Sequence, residues 1–224
     1  MGMRVAVLGL YRSGSTATAG VLHHLGANMG PPYWQGCYEP EDLSRSLRAW
    51  WNEPRRKLTP TRGERKEAEL RGESAVWLNE PRLQESTPAT ERIATLRQWI
   101  EKHEQARAAC TGAKQPLLCL SAHDLLEAWG SSIRFIWTHR PLENSIKSLV
   151  SLRWFPGKEE EMQRALWHAV TEFFQHQSHL RIDFSAMMED PRREIGRIID
   201  FLGLQPDQRQ IAAATGYISP KNRQ

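Results

Sequence analysis

One stretch near the start of the chain decides its fold: VAVLGLYRSGST, residues 5–16. Residues 5–8 form an apolar run that favours a β-strand, and residues 17–25 have the apolar spacing of a helix that Gly26 ends. A glycine-rich turn between a strand and a helix directs backbone N–H groups and the positive end of the helix dipole at one point. The sequence therefore predicts an anion site at this turn, most simply for a phosphate.

Both glycines of the turn and Thr16 fit the spacing of the P-loop pattern G-x-x-x-x-G-K-[ST]. Ser15 stands where that pattern has its lysine, which in nucleoside-triphosphate enzymes contacts the outer phosphates. The cation within the turn is Arg12, whose guanidinium can hold an oxyanion with two N–H groups. We predict an anion held by Arg12, Ser13, Gly14, Ser15 and Thr16, with ATP and magnesium a less natural ligand. The alternative is a turn that needs glycines only for its shape.

The composition limits the class of protein. With 224 residues we expect a single domain over 1–224, with a mobile insertion around 52–72 that is rich in Arg, Lys, Glu, Pro and Gly. The 30 basic and 26 acidic residues give a formal net charge of +4, which suits anionic ligands. Because these charges are interspersed, we expect no nucleic-acid partner.

The cysteines and the hydropathy predict a location. The three cysteines lack metal or disulfide spacing, so we expect a reducing, cytoplasmic compartment and no bound metal. No apolar run reaches the roughly 20 residues of a membrane helix, and the first strand begins without a preceding secretory signal. We therefore expect no membrane partner.

Short apolar segments alternate with amphipathic helical segments along most of the chain. We predict strands at 5–8, 74–78, 116–120, 133–137 and 179–184, and helices at 17–25, 41–51, 91–109, 122–129, 141–152, 159–176 and 191–202. This alternation predicts an α/β fold, a three-layer α/β/α arrangement with a central parallel sheet.

A second anion site is predicted after the strand at 133–137. Arg140 follows this strand at its carboxyl end, which is where open α/β sheets bind ligands. Ser145 and Ser148 lie about one and two turns along the next helix. Arg140 and one of these hydroxyls would hold a second phosphate. The alternative is an exposed arginine with two serines on a helix surface.

The two sites together resemble those of the sulfotransferase family, and most closely those of bacterial sulfotransferase-like proteins. The similarity runs through residues 12–16, Gly36-Cys37-Tyr38-Glu39, residues 114–120, Arg140 with Ser148, and residues 201–204. The resemblance implies a P-loop NTPase-like (sulfotransferase) fold and the donor 3′-phosphoadenosine 5′-phosphosulfate, without a metal. It implies that residues 12–16 bind the 5′-phosphosulfate and that Arg140 and Ser148 bind the 3′-phosphate. Gln115 and Leu117 depart from the more polar residues of the family.

The resemblance also implies a reaction, the transfer of a sulfuryl group to a hydroxyl or amine of an acceptor such as a carbohydrate or small molecule. Arg12 would stabilise the charge on the leaving oxygen, leaving adenosine 3′,5′-bisphosphate as the product. Glu39 is the first candidate for the base, and His123 is the second. Their other interpretations are a helix-capping carboxylate and a polar residue at a helix start. Lys114 is expected at the amino end of its strand, away from the donor unless the loop before it folds back, whereas the resemblance includes it as a donor contact.

Two other functions fit parts of the pattern. A P-loop kinase-like phosphotransferase shares the fold, but it requires a lysine in the loop and an acidic magnesium ligand at a strand end. A non-catalytic nucleotide-binding protein of the same fold would keep the anion sites without turnover.

Overall fold

The computed structural model describes residues 2–34, 36–51, 85–104 and 108–218. The described strands are β1 (Arg4–Leu8), β2 (Tyr33–Trp34), β3 (Glu39–Pro40), β4 (Thr111–Lys114), β5 (Arg134–His139) and β6 (Leu180–Asp183). The described helices are α1 (Ser15–His24), α2 (Glu41–Trp50), α3 (Ala89–His103), α4 (Ala122–Trp129), α5 (Leu142–Val150), α6 (Glu159–His176), α7 (Phe184–Glu189), α8 (Pro191–Leu202) and α9 (Gln208–Tyr217), with a 3₁₀ turn at Pro116–Cys119.

The main sheet has four parallel strands in the order β4-β1-β5-β6. Strand β1 lies inside the sheet and all five of its residues are buried, as expected for a parallel strand covered on both faces. Val7 pairs with Lys114 of β4, and Leu8 pairs with Trp137 of β5. The carboxyl ends of these strands therefore meet at one edge of the sheet.

Helices cover both faces of the sheet and form two hydrophobic cores. Along β1 the side chains alternate, so that Ala6 and Leu8 belong to one core while Val5 and Val7 belong to the other. The first core includes residues of α2, α3, α4 and α6, and the second includes residues of α1, α8 and α9. The predicted α/β fold, with three layers and a central parallel sheet, is confirmed.

The prediction of a strand at 116–120 is wrong. The strand lies just before it, at Thr111–Lys114, and Pro116 begins a 3₁₀ turn. The side chain of Gln115 accepts a hydrogen bond from the backbone N–H of Leu117, and Pro116 has no N–H with which to continue a sheet ladder. The helix predicted at 91–109 is also shorter at its carboxyl end than expected, since it ends at His103.

Other predicted elements lie close to their expected bounds. Helix α6 spans the predicted 159–176, and α8 begins at Pro191, with the side chain of Asp190 accepting the backbone N–H of Arg193. Gly203 adopts a left-handed conformation (φ 61°) where this helix ends. The predicted strand at 74–78 and the insertion at 52–72 lie outside the described residues. Within the described ranges, no helix has the length and apolar character needed to cross a bilayer.

Candidate functional site

Four segments meet at the carboxyl edge of the parallel sheet. The loop of residues 9–14 follows β1, and Lys114 is the last residue of β4. Arg140 follows β5 directly, and Phe184 follows β6. The topology alone brings these segments together, because parallel strands end on the same side of the sheet.

The loop of residues 9–14 has the backbone conformation of an anion-binding turn. Arg12 and Gly14 have φ values of 62° and 92°, and the N–H of Ser13 donates to the carbonyl of Leu10 at 3.2 Å. A Cβ atom on Gly14 would lie 2.2 Å from Cδ2 of Phe184. Glycine is therefore required at position 14 both for its left-handed backbone and for the close approach of Phe184.

The two predicted anion sites adjoin each other. Nε of Arg12 donates to Oγ of Ser148 at 3.2 Å, and an Nη of Arg140 donates to the carbonyl oxygen of Arg12 at 3.0 Å. Partial burial, followed by the positive charge of Arg12, lowers the pKa of Arg140. The Arg140 guanidinium also lies 5.4 Å from the centre of the Phe184 ring. Arg12 thus spans from the first loop to the second site.

The two candidate serines of α5 have different surroundings. Ser145 is completely buried, and its Oγ has no hydrogen-bond partner among the described residues. Ser148 is only partly buried and contacts Arg12. Of the two hydroxyls, only that of Ser148 faces the site.

The expectation for Lys114 is wrong, since this residue ends β4 at the carboxyl edge of the sheet. Its Nζ atom donates to Oγ1 of Thr16 at 3.0 Å and to Oε1 of Glu39 at 2.7 Å, and it lies 3.4 Å from the carbonyl of Cys37. Val7, its neighbour in β1, precedes the loop by two residues. A lysine from the adjacent strand therefore places an ammonium beside the loop, although position 15 of the loop is a serine.

Glu39 lies in a two-stranded antiparallel hairpin in which it pairs with Trp34. Its carboxylate is buried, with Lys114 on Oε1 and an Nη of Arg48 at 3.9 Å from Oε2. The Arg48 guanidinium also packs 4.5 Å from the centre of the Trp34 ring. The interpretation of Glu39 as a simple helix cap does not describe these contacts, because this carboxylate forms an ion pair with a residue of the site.

His123 has a different environment. It is exposed in the first turn of α4, and its ring meets Phe173 edge-on with the centroids 5.0 Å apart. Within the described part of the chain, no hydrogen bond connects His123 to Glu39, Lys114 or the loop. The structure thus places Glu39, but not His123, in contact with Lys114 beside the loop.

Asp183 ends β6 near the same edge and is already engaged by basic side chains. His139 Nδ1 lies 2.6 Å from its Oδ1, and an Arg181 Nη lies 2.9 Å from the same oxygen. Although partial burial opposes the effect, the contacts with Arg181 and His139 lower the pKa of Asp183.

Sequence reasoning missed two residues of the site. Phe184 lies within the strand predicted at 179–184, whereas in the structure the strand ends at Asp183, so the prediction did not place this ring beyond the carboxyl end of the strand. Lys114 was noticed only through the family resemblance, and the misplaced strand put it at the wrong end of the sheet. A strand predicted at 111–114, ending directly before Gln115 and Pro116, would have placed this lysine at the carboxyl edge of the sheet.

Comparisons with known proteins give a consistent picture. The model of the sulfotransferase family matches residues 4–208. No curated protein sequence matches the chain. Solved structures with a similar fold include three bacterial ones. They are sulfotransferase STF1 of Mycobacterium tuberculosis H37Rv (13% identity, covering 97% of this chain and 72% of that one, TM-score 0.53), sulfotransferase STF9 of Mycobacterium avium (15%, 100% and 69%, 0.55) and the sulfotransferase domain of the Synechococcus PCC 7002 olefin synthase (19%, 99% and 82%, 0.52).

The strand–loop–helix at the first anion site, the arginine and serine of the second, and the family match over most of the chain all lead to one assignment. The chain belongs to the sulfotransferase family.

Proposed function

We propose that this protein transfers a sulfuryl group from 3′-phosphoadenosine 5′-phosphosulfate to a hydroxyl or amine of an acceptor, and that residues 1–224 form one domain for this purpose. The observation that supports this most is the pairing of two arginines. Arg140 donates to the backbone carbonyl of Arg12, Arg12 donates to Ser148, and among the described residues neither guanidinium has a carboxylate partner. Two adjacent cations of this kind are stabilised by an anionic ligand.

The residues of the edge match the parts of such a donor. The backbone N–H groups of the loop and the start of α1 would hold the 5′-phosphosulfate, because they carry the positive end of the helix dipole. Arg140 and Ser148 would hold the 3′-phosphate. Phe184 offers a partly exposed aromatic ring between them, suited to stacking of the purine.

The contacts of Lys114 and Glu39 support a role for each of them in the proposed reaction. The bound donor supplies an activated sulfuryl group, whose S–O bond to the 5′-phosphate breaks as the acceptor oxygen or nitrogen bonds to sulfur. Glu39 takes the proton that the acceptor loses. Lys114, held between Thr16 and Glu39, stabilises negative charge beside the loop, as do Arg12 and the loop N–H groups.

The first test is nucleotide binding. Adenosine 3′,5′-bisphosphate without any metal should raise the melting temperature of the protein. A ligand at 100 times its Kd contributes about 2.7 kcal/mol, which corresponds to roughly 5–10 °C for a domain of this size. Arg140→Ala should abolish most of this shift. Stabilisation by ATP with Mg²⁺ alone would instead support the kinase-like alternative.

The second test separates an enzyme from a non-catalytic binder. Glu39→Gln should lower the rate of sulfuryl transfer to a panel of hydroxyl and amine acceptors by about 10²–10⁴-fold. Affinity for adenosine 3′,5′-bisphosphate should stay within about threefold. Glu41→Gln is the matched control, since Glu41 pairs only with Arg45 on the exposed face of α2 among the described residues. Equal rates in the wild type and Glu39→Gln would contradict the role of this base.

A further inference from the structure

The side chain of Gln163, from α6, lies against the loop of residues 9–14. It is completely buried, and its Nε2 donates a hydrogen bond of 2.7 Å to the carbonyl oxygen of Tyr11. A carbonyl oxygen only accepts hydrogen bonds, so this contact fixes which end of the amide faces the loop. The loop is therefore anchored to a helix that begins 147 residues after Arg12 in the sequence, at Glu159.

This contact orients a peptide unit of the anion site. The peptide bond between Tyr11 and Arg12 is planar and trans, so its N–H points opposite to its C=O. Because Gln163 holds the carbonyl on the interior side, the N–H of Arg12 is directed away from the interior. Backbone N–H groups directed outward from such a loop are the groups that bind a phosphate.

The neighbouring peptide units are held in the same way. The carbonyl of Leu10 accepts the N–H of Ser13, and the carbonyl of Arg12 accepts an Nη of Arg140. Arg12 itself has φ 62°, a left-handed conformation that costs free energy in a residue other than glycine. Such a conformation persists only where its surroundings hold it, and Gln163 supplies the contact on its amino side.

Gln163 is not a favourable choice for stability alone. Its Oε1 atom is buried and has no hydrogen-bond partner among the described residues. An unpaired buried carbonyl oxygen destabilises a fold, so the amide at this position contributes less to stability than a fully paired one would. The adjacent residues of α6 that face the same core, Met162 and Leu166, are apolar.

We propose that Gln163 is a positioning residue for the donor's 5′-phosphate. It acts through the backbone of Tyr11 and Arg12 and does not itself touch the ligand. This inference rests on the proposed function, and it assigns the 5′-phosphate end of the donor to the part of the loop that Gln163 holds. The 3′-phosphate end depends instead on Arg140 and Ser148.

The test compares three nucleotides by calorimetry: adenosine 3′,5′-bisphosphate, adenosine 5′-monophosphate and adenosine 3′-monophosphate. In Gln163→Leu, affinity for the two nucleotides with a 5′-phosphate should fall about tenfold, as expected for one lost hydrogen bond that orients a charged contact. Affinity for adenosine 3′-monophosphate should stay within about twofold. The free energy of unfolding of the nucleotide-free variant should stay close to that of the wild type, because the change removes the unpaired Oε1 of Gln163 but also removes the donor to the Tyr11 carbonyl.

A second variant and a control complete the experiment. Gln163→Met keeps the length of the side chain but has no N–H to donate to the Tyr11 carbonyl, so it should show the same selective loss. Met162→Leu, a buried change one residue away on α6, should alter none of the three affinities. Unchanged affinity for adenosine 3′,5′-bisphosphate in both Gln163 variants would overturn the proposal, as would an equal loss for all three nucleotides. If the wild type binds none of the three nucleotides, the proposed donor itself is wrong. This measurement on the wild type is made first and so distinguishes a failure of the proposed function from a failure of the role of Gln163.

Discussion

Asp42, the second residue of α2, joins two helices through a single carboxylate. It accepts hydrogen bonds from Trp99 Nε1 at 2.9 Å and from the backbone N–H of Leu43 at 2.8 Å, with Lys102 and His103 at 3.1 and 3.3 Å. Although partial burial opposes the effect, these contacts lower the pKa of Asp42 from 3.8 to about 2. The ionised form is therefore favoured in the folded protein.

A pH dependence of stability follows from this shift. Since the folded pKa lies below the unfolded one, the contribution of Asp42 is complete above about pH 4 and is lost as the pH falls toward 2. Asp42→Asn should lower the free energy of unfolding at pH 7, and its difference from the wild type should shrink between pH 4 and pH 3. Urea unfolding at these pH values measures both quantities.

The control for Asp42 is Glu91→Gln, an exposed change on α3 that should leave the free energy of unfolding within about 0.5 kcal/mol of the wild type. A difference between Asp42→Asn and the wild type that stays constant from pH 7 to pH 3 would show that the carboxylate is not ionised preferentially in the folded state.

At the residue scale, the sequence placed Arg12 just after the predicted strand at 5–8, Arg140 just after the strand at 133–137, and Ser148 about two turns along the helix that follows. It predicted two separate anion sites, so the contact between Arg12 and Ser148 was not predicted. Their roles in binding remain predictions. The position of Lys114 was predicted wrongly because the strand was expected at 116–120, after this residue, and not at 111–114. The contact of Gln163 was not predictable either, since nothing in the pattern of a long amphipathic helix shows that one amide faces inward and bonds the carbonyl of Tyr11.

At the scale of elements, α3 and α4 are joined by a buried ion pair. Nε of Arg92 lies 2.7 Å from Oδ2 of Asp124, and the two side chains are 7% and 9% exposed. Arg92 also contacts Glu85 and donates to the carbonyl of Thr87 at 2.5 Å. Its guanidinium lies 4.9 Å from the centre of the Trp51 ring.

Removing the arginine should leave a buried carboxylate without its partner. Arg92→Ala is expected to lower the free energy of unfolding by about 3–5 kcal/mol. The combined change Arg92→Met with Asp124→Leu should be clearly less destabilising, because no buried charge then remains. Denaturant unfolding checks both values.

Arg97→Ala, an exposed change on the same helix α3, provides the comparison and should cost no more than about 0.5 kcal/mol. Should Arg92→Ala cost as little as Arg97→Ala, the ion pair between α3 and α4 would contribute nothing measurable to the fold.

The sequence predicted long elements better than short ones. Helices α6 and α8 have a sustained apolar stripe, and α8 also has Asp190 before Pro191 and Gly203 after its end, so both were predicted closely. Strand β4 reads Thr-Gly-Ala-Lys and carries almost no apolar signal. The strand was predicted instead at 116–120, over the neighbouring apolar run. A short buried 3₁₀ turn and a short buried strand have a similar apolar composition, so the sequence does not distinguish them.

At the scale of the whole molecule, the last described helix packs on the first. The ring of Tyr217, in α9, lies against Gly20 in α1, so that a Cβ atom added to Gly20 would be 2.2 Å from Cε1 of that ring. The ring is also packed against His24 and Tyr38, with centroids 5.2 and 5.8 Å apart. Gly20 is therefore required by this contact and not by the helix itself.

The effect of Gly20→Ala on the free energy of unfolding should change sign when Tyr217 is removed. In the wild type the added methyl group meets a ring held by its neighbours, and overpacking of this kind costs about 1–3 kcal/mol. In a Tyr217→Ala background the space is open, and the higher helix propensity of alanine should make the same change stabilising by up to about 1 kcal/mol. Thermal or urea unfolding of the wild type, the two single variants and the double variant gives the four free energies of the double-mutant cycle. Equal costs in both backgrounds would exclude this contact as the cause.

The α/β architecture was predictable as a whole because alternating strands and helices leave few other arrangements. The hairpin of β2 and β3, by contrast, has only two residues in each strand, and no periodicity can reveal elements so short. This hairpin nevertheless positions Glu39 beside Lys114. Because the hairpin could not be predicted, the sequence identified Glu39 as a candidate but not its contact with Lys114.

The register of β4 beside β1 has a consequence for any fragment of this protein. Lys114 reaches Thr16 only after two strands more than a hundred residues apart have paired, so a peptide made of the first thirty residues would carry the glycine turn without the ammonium that accompanies it. The side chains at this edge of the sheet are therefore brought together only by long-range folding, and a fragment that lacks β4 or β5 cannot assemble them.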